Sequence, residues 1–173
     1  MAGHRAFLIL MILSIGCTNA VDEPRFSITT KRDDDKVEFQ FRADTTVISV
    51  HSPFGISQTV IERIDEKWPD TVTLRLHLKA LENFQITNGN VTLHAAVSSH
   101  TDDQMVRQWK DSKEDSPLDS KSPFWMEVRM VGKDGESMTT IPLQDGYFEI
   151  LLPRAFFDDN PKSFTVNWID FYR

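Results

Sequence analysis

Cysteine is almost absent from this sequence, since Cys17 is the single example among 173 residues. One thiol excludes an intrachain disulfide, a zinc site built from cysteines and a Cys-x-x-Cys redox motif. Glycine is scarce as well, with seven residues, and no glycine-rich phosphate-binding loop is present. The sequence therefore offers neither a dithiol centre nor a loop for nucleotide phosphates.

Basic runs are also missing. The formal net charge is −7, the pI is about 5.2, and no stretch is rich in Lys and Arg. Nucleic acid binding depends on a basic surface that neutralises phosphates, so we expect no nucleic acid partner. The same acidic balance disfavours electrostatic docking on anionic lipid.

Catalytic signatures are missing too. The chain has no Gly-x-Ser-x-Gly motif, and its five histidines form neither a His-x-His nor a His-x3-His pair. We predict that the protein is not an enzyme and has no cofactor and no metal site. The alternative is a hydrolase or metal protein that brings His77, His94 and nearby acids together across strands. Asp33–Asp35 supplies oxygens that Ca²⁺ prefers, but without the spacing of a calcium loop it is better explained as a charged turn.

Long apolar runs are absent except near the start of the chain, where Ala6–Ile15 gives about ten mostly apolar residues. A membrane-spanning helix needs about 20 such residues. A short apolar segment behind a weakly basic start is typical of a secretory signal peptide. We predict a signal peptide over residues 1–17, a tether over 18–24 and one domain over 25–173.

Two cleavage sites compete in this segment. Leu13–Cys17 resembles a bacterial lipobox, with Gly16 as the small residue before the cysteine, although Ser14 stands where an aliphatic residue is usual. The alternative is Thr18–Ala20, a small-x-small site for ordinary secretion. Because the lipobox accounts for the lone cysteine, we predict lipidation of Cys17 and anchoring in the bacterial cell envelope, in the outer membrane or the periplasm. The alternative location is secreted.

The clearest pattern in the mature chain is the alternation within Thr71–Ala80. Val72, Leu74, Leu76, Leu78 and Ala80 alternate there with Thr71, Thr73, Arg75, His77 and Lys79. This strict period of two predicts a strand with one buried and one solvent-facing side. Burying the four larger apolar side chains contributes about 6–12 kcal/mol before entropy costs. A small domain nets about 5–15 kcal/mol, so we expect this strand to be central to the core.

Similar alternation predicts about ten strands in all, with no helix of ordinary length. Clear examples are Arg25–Thr30, Val37–Arg42, Thr45–His51, Ile56–Ile64, Phe124–Met130, Met138–Leu143, Phe148–Leu152 and Phe164–Arg173. Gln104–Trp109 is a shorter candidate, and Arg154–Phe157 is a candidate helical turn. Asn88-Gly89 favours a type I′ turn and predicts a hairpin between Phe84–Thr87 and Asn90–Val97. The pattern favours a single antiparallel β-sandwich; a partly closed β-barrel is the alternative.

Tryptophan and histidine supply the candidate ligand-binding residues. Trp125 has the parity of a solvent-facing side chain, and together with Trp109 it is a candidate platform for stacking on sugars. Alternation also places His77 and His94 on solvent-facing sides, where they would meet if their strands were neighbours. The simpler interpretation is that the tryptophans pack and the histidines are solvated.

Three segments of the chain resemble a family of uncharacterised bacterial exported proteins, predicted to be lipoproteins, for which no activity is known. The segments are Glu66–Asp70 running into Leu74–Leu78, Lys121–Met126 and Asn167–Arg173. The resemblance extends over nearly all of the mature chain and implies no site residues.

The function that these observations favour is a lipid-anchored or secreted β-sandwich of the cell envelope, acting as a binding or structural module. The expected partners are the membrane, through the lipid anchor, and an envelope protein or polysaccharide. A carbohydrate-binding module is the alternative.

Overall fold

The computed structural model describes residues 25–42, 45–53, 55, 57–64, 67–86, 89–99, 121–132 and 135–169. Ten strands lie within these residues. In chain order they are β1 Phe26–Thr30, β2 Lys36–Arg42, β3 Thr45–Ser52, β4 Ser57–Arg63, β5 Thr71–Leu78, β6 Val91–Ser98, β7 Phe124–Gly132, β8 Gly135–Pro142, β9 Phe148–Leu152 and β10 Ser163–Ile169. Short 3₁₀ segments cover Lys79–Asn83 and Arg154–Phe157, the second of which confirms the predicted helical turn.

The strands form two sheets that pack as a sandwich and do not close into a barrel. The large sheet has the order β1-β4-β10-β6-β7-β8, and the small sheet has the order β2-β3-β5-β9. The predicted all-β sandwich is confirmed. The sheets are mixed rather than wholly antiparallel, because β3 pairs with β5 and β6 pairs with β7 in parallel. The chain leaves the small sheet after β3, adds β4 to the large sheet and returns as β5, so β5 arrives in the same direction as β3.

The core lies between the sheets, and β5 is central to it as predicted. Val72, Leu74 and Leu76 are fully buried, and Leu78 is 5% exposed. They face buried side chains of the large sheet, including Ile61, Val97, Met126 and Phe164. The alternation in the sequence therefore identified both the strand and its inward face.

The predicted hairpin at Asn88-Gly89 is wrong. Phe84–Ile86 is not a strand, and β6 lies between β10 and β7 in the large sheet. Phe84 and Ile86 instead pack against the edge of the core, where the Phe84 ring meets Phe124 at a centroid distance of 6.0 Å. Their apolar alternation reflects the packing of a connecting segment against the core rather than the pairing of a strand. Gly89 does have the predicted positive φ, at 79°.

Candidate functional site

The outer face of the small sheet carries two rows of aligned polar side chains. Lys36 on β2 lies opposite His51 on β3, which lies opposite His77 on β5. The next row runs from Glu38 through Ser49 and Arg75 to Glu149. Directly opposed residues share one face of a sheet. We call the group formed by His51, His77, Tyr147, Arg75, Glu38 and Glu82 the histidine face.

The two imidazoles at its centre face each other through the same ring atom. The Nδ1 atoms of His51 and His77 are 3.3 Å apart, and the ring centroids are 5.2 Å apart with an interplanar angle of 61°. This distance lies just beyond the usual range of about 2.7–3.2 Å for hydrogen bonds donated by N–H. The rings are 25% and 18% exposed, so each is held by the sheet with one edge towards solvent.

A carboxylate stands behind each imidazole. The 3₁₀ segment that follows β5 turns Glu82 back over the strand, and its Oε1 lies 2.9 Å from Nε2 of His77. On the other side, Oε2 of Glu38 lies 3.6 Å from Nε2 of His51. That nitrogen is otherwise buried and has no hydrogen-bond partner in the described part of the chain. Both Nε2 atoms therefore point at negative charge while both Nδ1 atoms converge.

Tyr147 closes a third side of the histidine face because a tight turn places it there. Gln144 and Tyr147 exchange both backbone hydrogen bonds, and the intervening Asp145 and Gly146 have φ values of 50° and 80°. This is the backbone of a two-residue hairpin turn of type I′, which the Asp-Gly dipeptide favours. The Tyr147 ring centroid then lies 5.3 Å from that of His77 and 5.9 Å from that of His51.

Arg75 lies beside the imidazoles without pointing at them. Its Cζ sits 4.0 Å from the centroid of the Tyr147 ring, a cation–π contact, and its Nε is 3.3 Å from Oε2 of Glu149. The guanidinium charge is therefore compensated by an aromatic face and a neighbouring carboxylate. Glu38 and Glu82 are 67% and 52% exposed. Their negative charges make the surroundings of the two rings favourable to a cation.

His77 and His94 do not meet, because their strands are not neighbours. His77 lies on β5 of the small sheet, whereas His94 lies on β6 of the large sheet. Both point outward, as alternation predicted, so the sandwich core separates them. His94 pairs instead with Glu127 on β7, with 3.3 Å between Nδ1 and Oε2.

Trp125 is directed to the outer face of the large sheet, as predicted, but it is not exposed. Its exposed fraction is 8%, and its indole N–H donates to the Ser122 carbonyl at 3.1 Å. An outward direction does not ensure exposure, because neighbours on the same face can cover a large ring. The prediction that Trp125 forms an open stacking platform is therefore wrong, because the ring is not exposed. Trp109 lies outside the described residues.

Trp68 is a packing residue at one end of the core. Its ring stacks on Phe26 and Phe157 at centroid distances of 5.6 and 4.9 Å, and its N–H donates to the Pro161 carbonyl at 2.6 Å. The adjoining cleft of about 260 Å³ is lined by charges of both signs, from Lys67, Asp70, Arg154 and Asp158.

The aspartate run lies in the turn between β1 and β2. Asp34 accepts two hydrogen bonds of 2.9 Å from Arg32, and this pairing holds the pKa of the Asp34 carboxyl below its usual value. Asp35 is 8% exposed, whereas Asp33 is exposed, so the three carboxyls do not share one environment. Over the described ranges, no three His, Cys, Asp or Glu side chains come together closely enough to hold a metal ion.

His51 and Tyr147 were missed as site residues by sequence reasoning. Thr45–His51 was predicted as a strand, but it is buried on both sides over Thr46–Val50, so it shows no alternation that would assign its faces. Only the parallel register of β3 with β5 brings His51 beside His77. For Tyr147, the Asp145-Gly146 dipeptide was a signal in the sequence, because it favours the tight turn that positions this residue.

Comparisons with known protein families, with curated proteins and with solved structures found no match. Within the ranges that the structure describes, no helix has the length and apolar character needed to cross a bilayer.

Proposed function

We propose that this protein is an exported binding module of the bacterial cell envelope, anchored by lipid at Cys17, and that it binds its ligand through the histidine face. The single observation that carries the binding role is the convergence of His51, His77 and Tyr147 on the outer side of the small sheet. His51 and His77 are held on packed strands, which positions side chains more rigidly than loops do, as a binding site requires. The apolar segment Ala6–Ile15 and the lone cysteine support the export and the anchor.

The chemistry of the histidine face favours binding over catalysis. The described groups include no hydroxyl or thiol within hydrogen-bond reach of either imidazole, so they supply no activated nucleophile. They do combine aromatic surface, ring nitrogens and carboxylates within one patch that stays partly open to solvent. Such a mixture offers a ligand both aromatic contact and a few directed polar groups.

The binding role is tested by capture from envelope extracts with matched variants. Wild-type protein should retain a protein or polysaccharide that His77→Ala and Tyr147→Ala lose by at least about tenfold, which corresponds to about 1.4 kcal/mol. His94→Ala, on the other sheet, is the matched control and should retain the ligand. Equal retention by all four proteins, or no retention by any, would contradict binding through this face.

The anchor is tested separately by metabolic labelling with a lipid precursor. Wild-type protein should take up the label and fractionate with membranes, whereas Cys17→Ala should do neither. An unlabelled wild-type protein would refute lipidation and leave ordinary secretion after Ala20 as the route of export.

A further inference from the structure

We propose that His51 and His77 form a two-imidazole site for Zn²⁺, coordinated through both Nδ1 atoms, with water or a donor atom of the bound ligand at the other positions. The inference rests on the proposed function in that it names a ligand for the same face. The sequence contains no spacing that predicts this site, because its two histidines come from strands whose pairing is set by the fold.

The separation of the two nitrogens fits one metal ion between them. Two Zn–N bonds of about 2.0–2.1 Å at a tetrahedral angle place the ligand atoms about 3.3–3.4 Å apart. The observed Nδ1–Nδ1 distance is 3.3 Å. With about 1.2 Å from each nitrogen to its ring centroid, the same geometry sets the centroids about 5.2–5.4 Å apart. Their observed separation is 5.2 Å.

The carboxylates favour hydrogen on the Nε2 atoms of the two rings. Glu82, at 2.9 Å from Nε2 of His77, accepts a hydrogen bond there only if that nitrogen is protonated. Oε2 of Glu38 lies 3.6 Å from Nε2 of His51, beyond hydrogen-bond range, so its negative charge alone favours a proton on that nitrogen. With both protons on Nε2, the two Nδ1 atoms are unprotonated acceptors that face each other.

Two neutral imidazoles satisfy this arrangement less well than two imidazoles with a cation between them. If His51 carried its proton on Nδ1 and donated it to His77, the lone pair of its Nε2 would face the Glu38 carboxylate. A cation between the Nδ1 atoms removes this conflict, because each imidazole then gives a lone pair to the metal while its Nε2–H faces a carboxylate, hydrogen-bonded at Glu82 and at a longer distance at Glu38. This carboxylate–histidine–metal arrangement is the usual outer shell of histidine-bound zinc.

The nearby charges also favour a cation. Glu38 and Glu82 contribute two negative charges on opposite sides of the pair. Arg75 is engaged with Glu149 and the Tyr147 ring, and Lys36, in the same row as His51, is exposed. The cations near the site are thus either compensated or solvated.

The separation fits a tetrahedral ion better than a square-planar one, and Zn²⁺ is the tetrahedral ion that imidazole commonly binds in proteins. Adjacent positions of a square-planar Cu²⁺ or Ni²⁺ site would bring the two nitrogens to about 2.8–2.9 Å, closer than they lie. Two protein ligands leave two positions of a tetrahedral ion open. An open position lets the bound metal accept a carboxylate or imidazole from a partner, so the ion would supply part of the binding surface.

The experiment is a Zn²⁺ titration of tag-free protein by calorimetry. Wild-type protein should bind one Zn²⁺, and His51→Gln and His77→Gln should each weaken binding by at least about tenfold. Glu82→Gln should also weaken binding by about tenfold, because His77 then loses its carboxylate partner. His94→Gln should leave the affinity within about twofold, since that ring lies on the other sheet and serves as the matched control. Equal losses in His77→Gln and His94→Gln, or no binding by the wild type, would overturn the site.

A second measurement on the wild-type protein alone guards against variants that fold poorly. Imidazole ¹⁵N shifts identify the coordinating nitrogen, and on addition of Zn²⁺ they should move for Nδ1 of His51 and His77. Coordination through Nε2, or shifts confined to His94, would overturn the proposal.

The two proposals fail separately. The protein could capture its ligand through the histidine face, with or without a chelator, and yet bind no Zn²⁺. That result would refute the metal site and support the binding role. Conversely, the protein could bind Zn²⁺ at His51 and His77 but capture no envelope ligand, whether or not Zn²⁺ is added. That result would refute the binding role and support the metal site.

Discussion

The described part of the sandwich contains two parallel strand pairs, and in each of them an outward histidine faces an aligned residue of the neighbouring strand. In the small sheet, His77 on β5 is aligned with His51 on β3. In the large sheet, His94 on β6 is aligned with Glu127 on β7. The same position in the ladder therefore holds an imidazole in one sheet and a carboxylate in the other.

This single difference changes what each face can do. The Glu127 carboxylate lies 3.3 Å from Nδ1 of His94 and is only 17% exposed, so the imidazole is matched by an acid within the sheet. On the small sheet the matching acids stand behind the rings, and the two Nδ1 atoms are left facing each other. One pair is complete as an acid–imidazole contact, whereas the other is completed by a cation.

The largest expected effect comes from disrupting the scaffold beneath the histidine face. Leu76 lies one residue before His77 and is fully buried, so Leu76→Asp removes a core side chain at a cost of about 2–5 kcal/mol and adds an unpaired buried charge. Against a net stability of about 5–15 kcal/mol, we expect most of the protein to be unfolded. Circular dichroism melts should show no cooperative transition.

Thr73→Asp is the control for this prediction. Thr73 lies on the same strand but on its outer face, and we expect its replacement to change the free energy of unfolding by less than about 1 kcal/mol. A soluble Leu76→Asp variant that melts cooperatively near the wild-type temperature would show that β5 is not the centre of the core.

The strand that carries His77 could be predicted from sequence, but its partner could not. The alternation around Leu76 follows directly from burial on one side of a sheet, so it fixed the strand and the outward direction of His77. Alternation carries no information on which strand lies alongside, or in which direction. The crossover through β4 decided that His77 meets His51 rather than His94. Packing at Trp125, similarly, depends on neighbours that a local pattern does not reveal.

A smaller effect is expected at Trp125, on the outer face of the large sheet. Because this ring is 8% exposed and its N–H is satisfied by Ser122, Trp125→Ala should cost about 3 kcal/mol. That corresponds to a fall of roughly 6–12 °C in melting temperature for a chain of this size. Zinc affinity at the small sheet should stay unchanged, which would separate the packed outer face from the binding one.

Met138→Ala is the matched change for Trp125→Ala. Met138 lies on the same face of the large sheet and is 51% exposed, so its loss should shift the free energy of unfolding by no more than about 0.5 kcal/mol. If Trp125→Ala melted like Met138→Ala and lost binding on a glycan array, the ring would be a ligand platform, and the sugar-binding alternative would replace the one proposed here.

The last prediction, and the most direct test of the comparison, is an exchange of the two aligned residues, which changes zinc affinity rather than stability. His51→Glu would give the small sheet the acid–imidazole pair that the large sheet has, and Zn²⁺ affinity there should fall at least about tenfold, or about 1.4 kcal/mol. Glu127→His would place a second imidazole against Nδ1 of His94, and the large sheet should then gain measurable zinc binding. Calorimetry measures the Zn²⁺ affinity of both variants, and thermal melts in the presence of a chelator verify that they are folded. If Glu127→His gained no binding while His51→Glu lost it, parallel register would be insufficient, and the carboxylates behind the rings would have to be essential to the site.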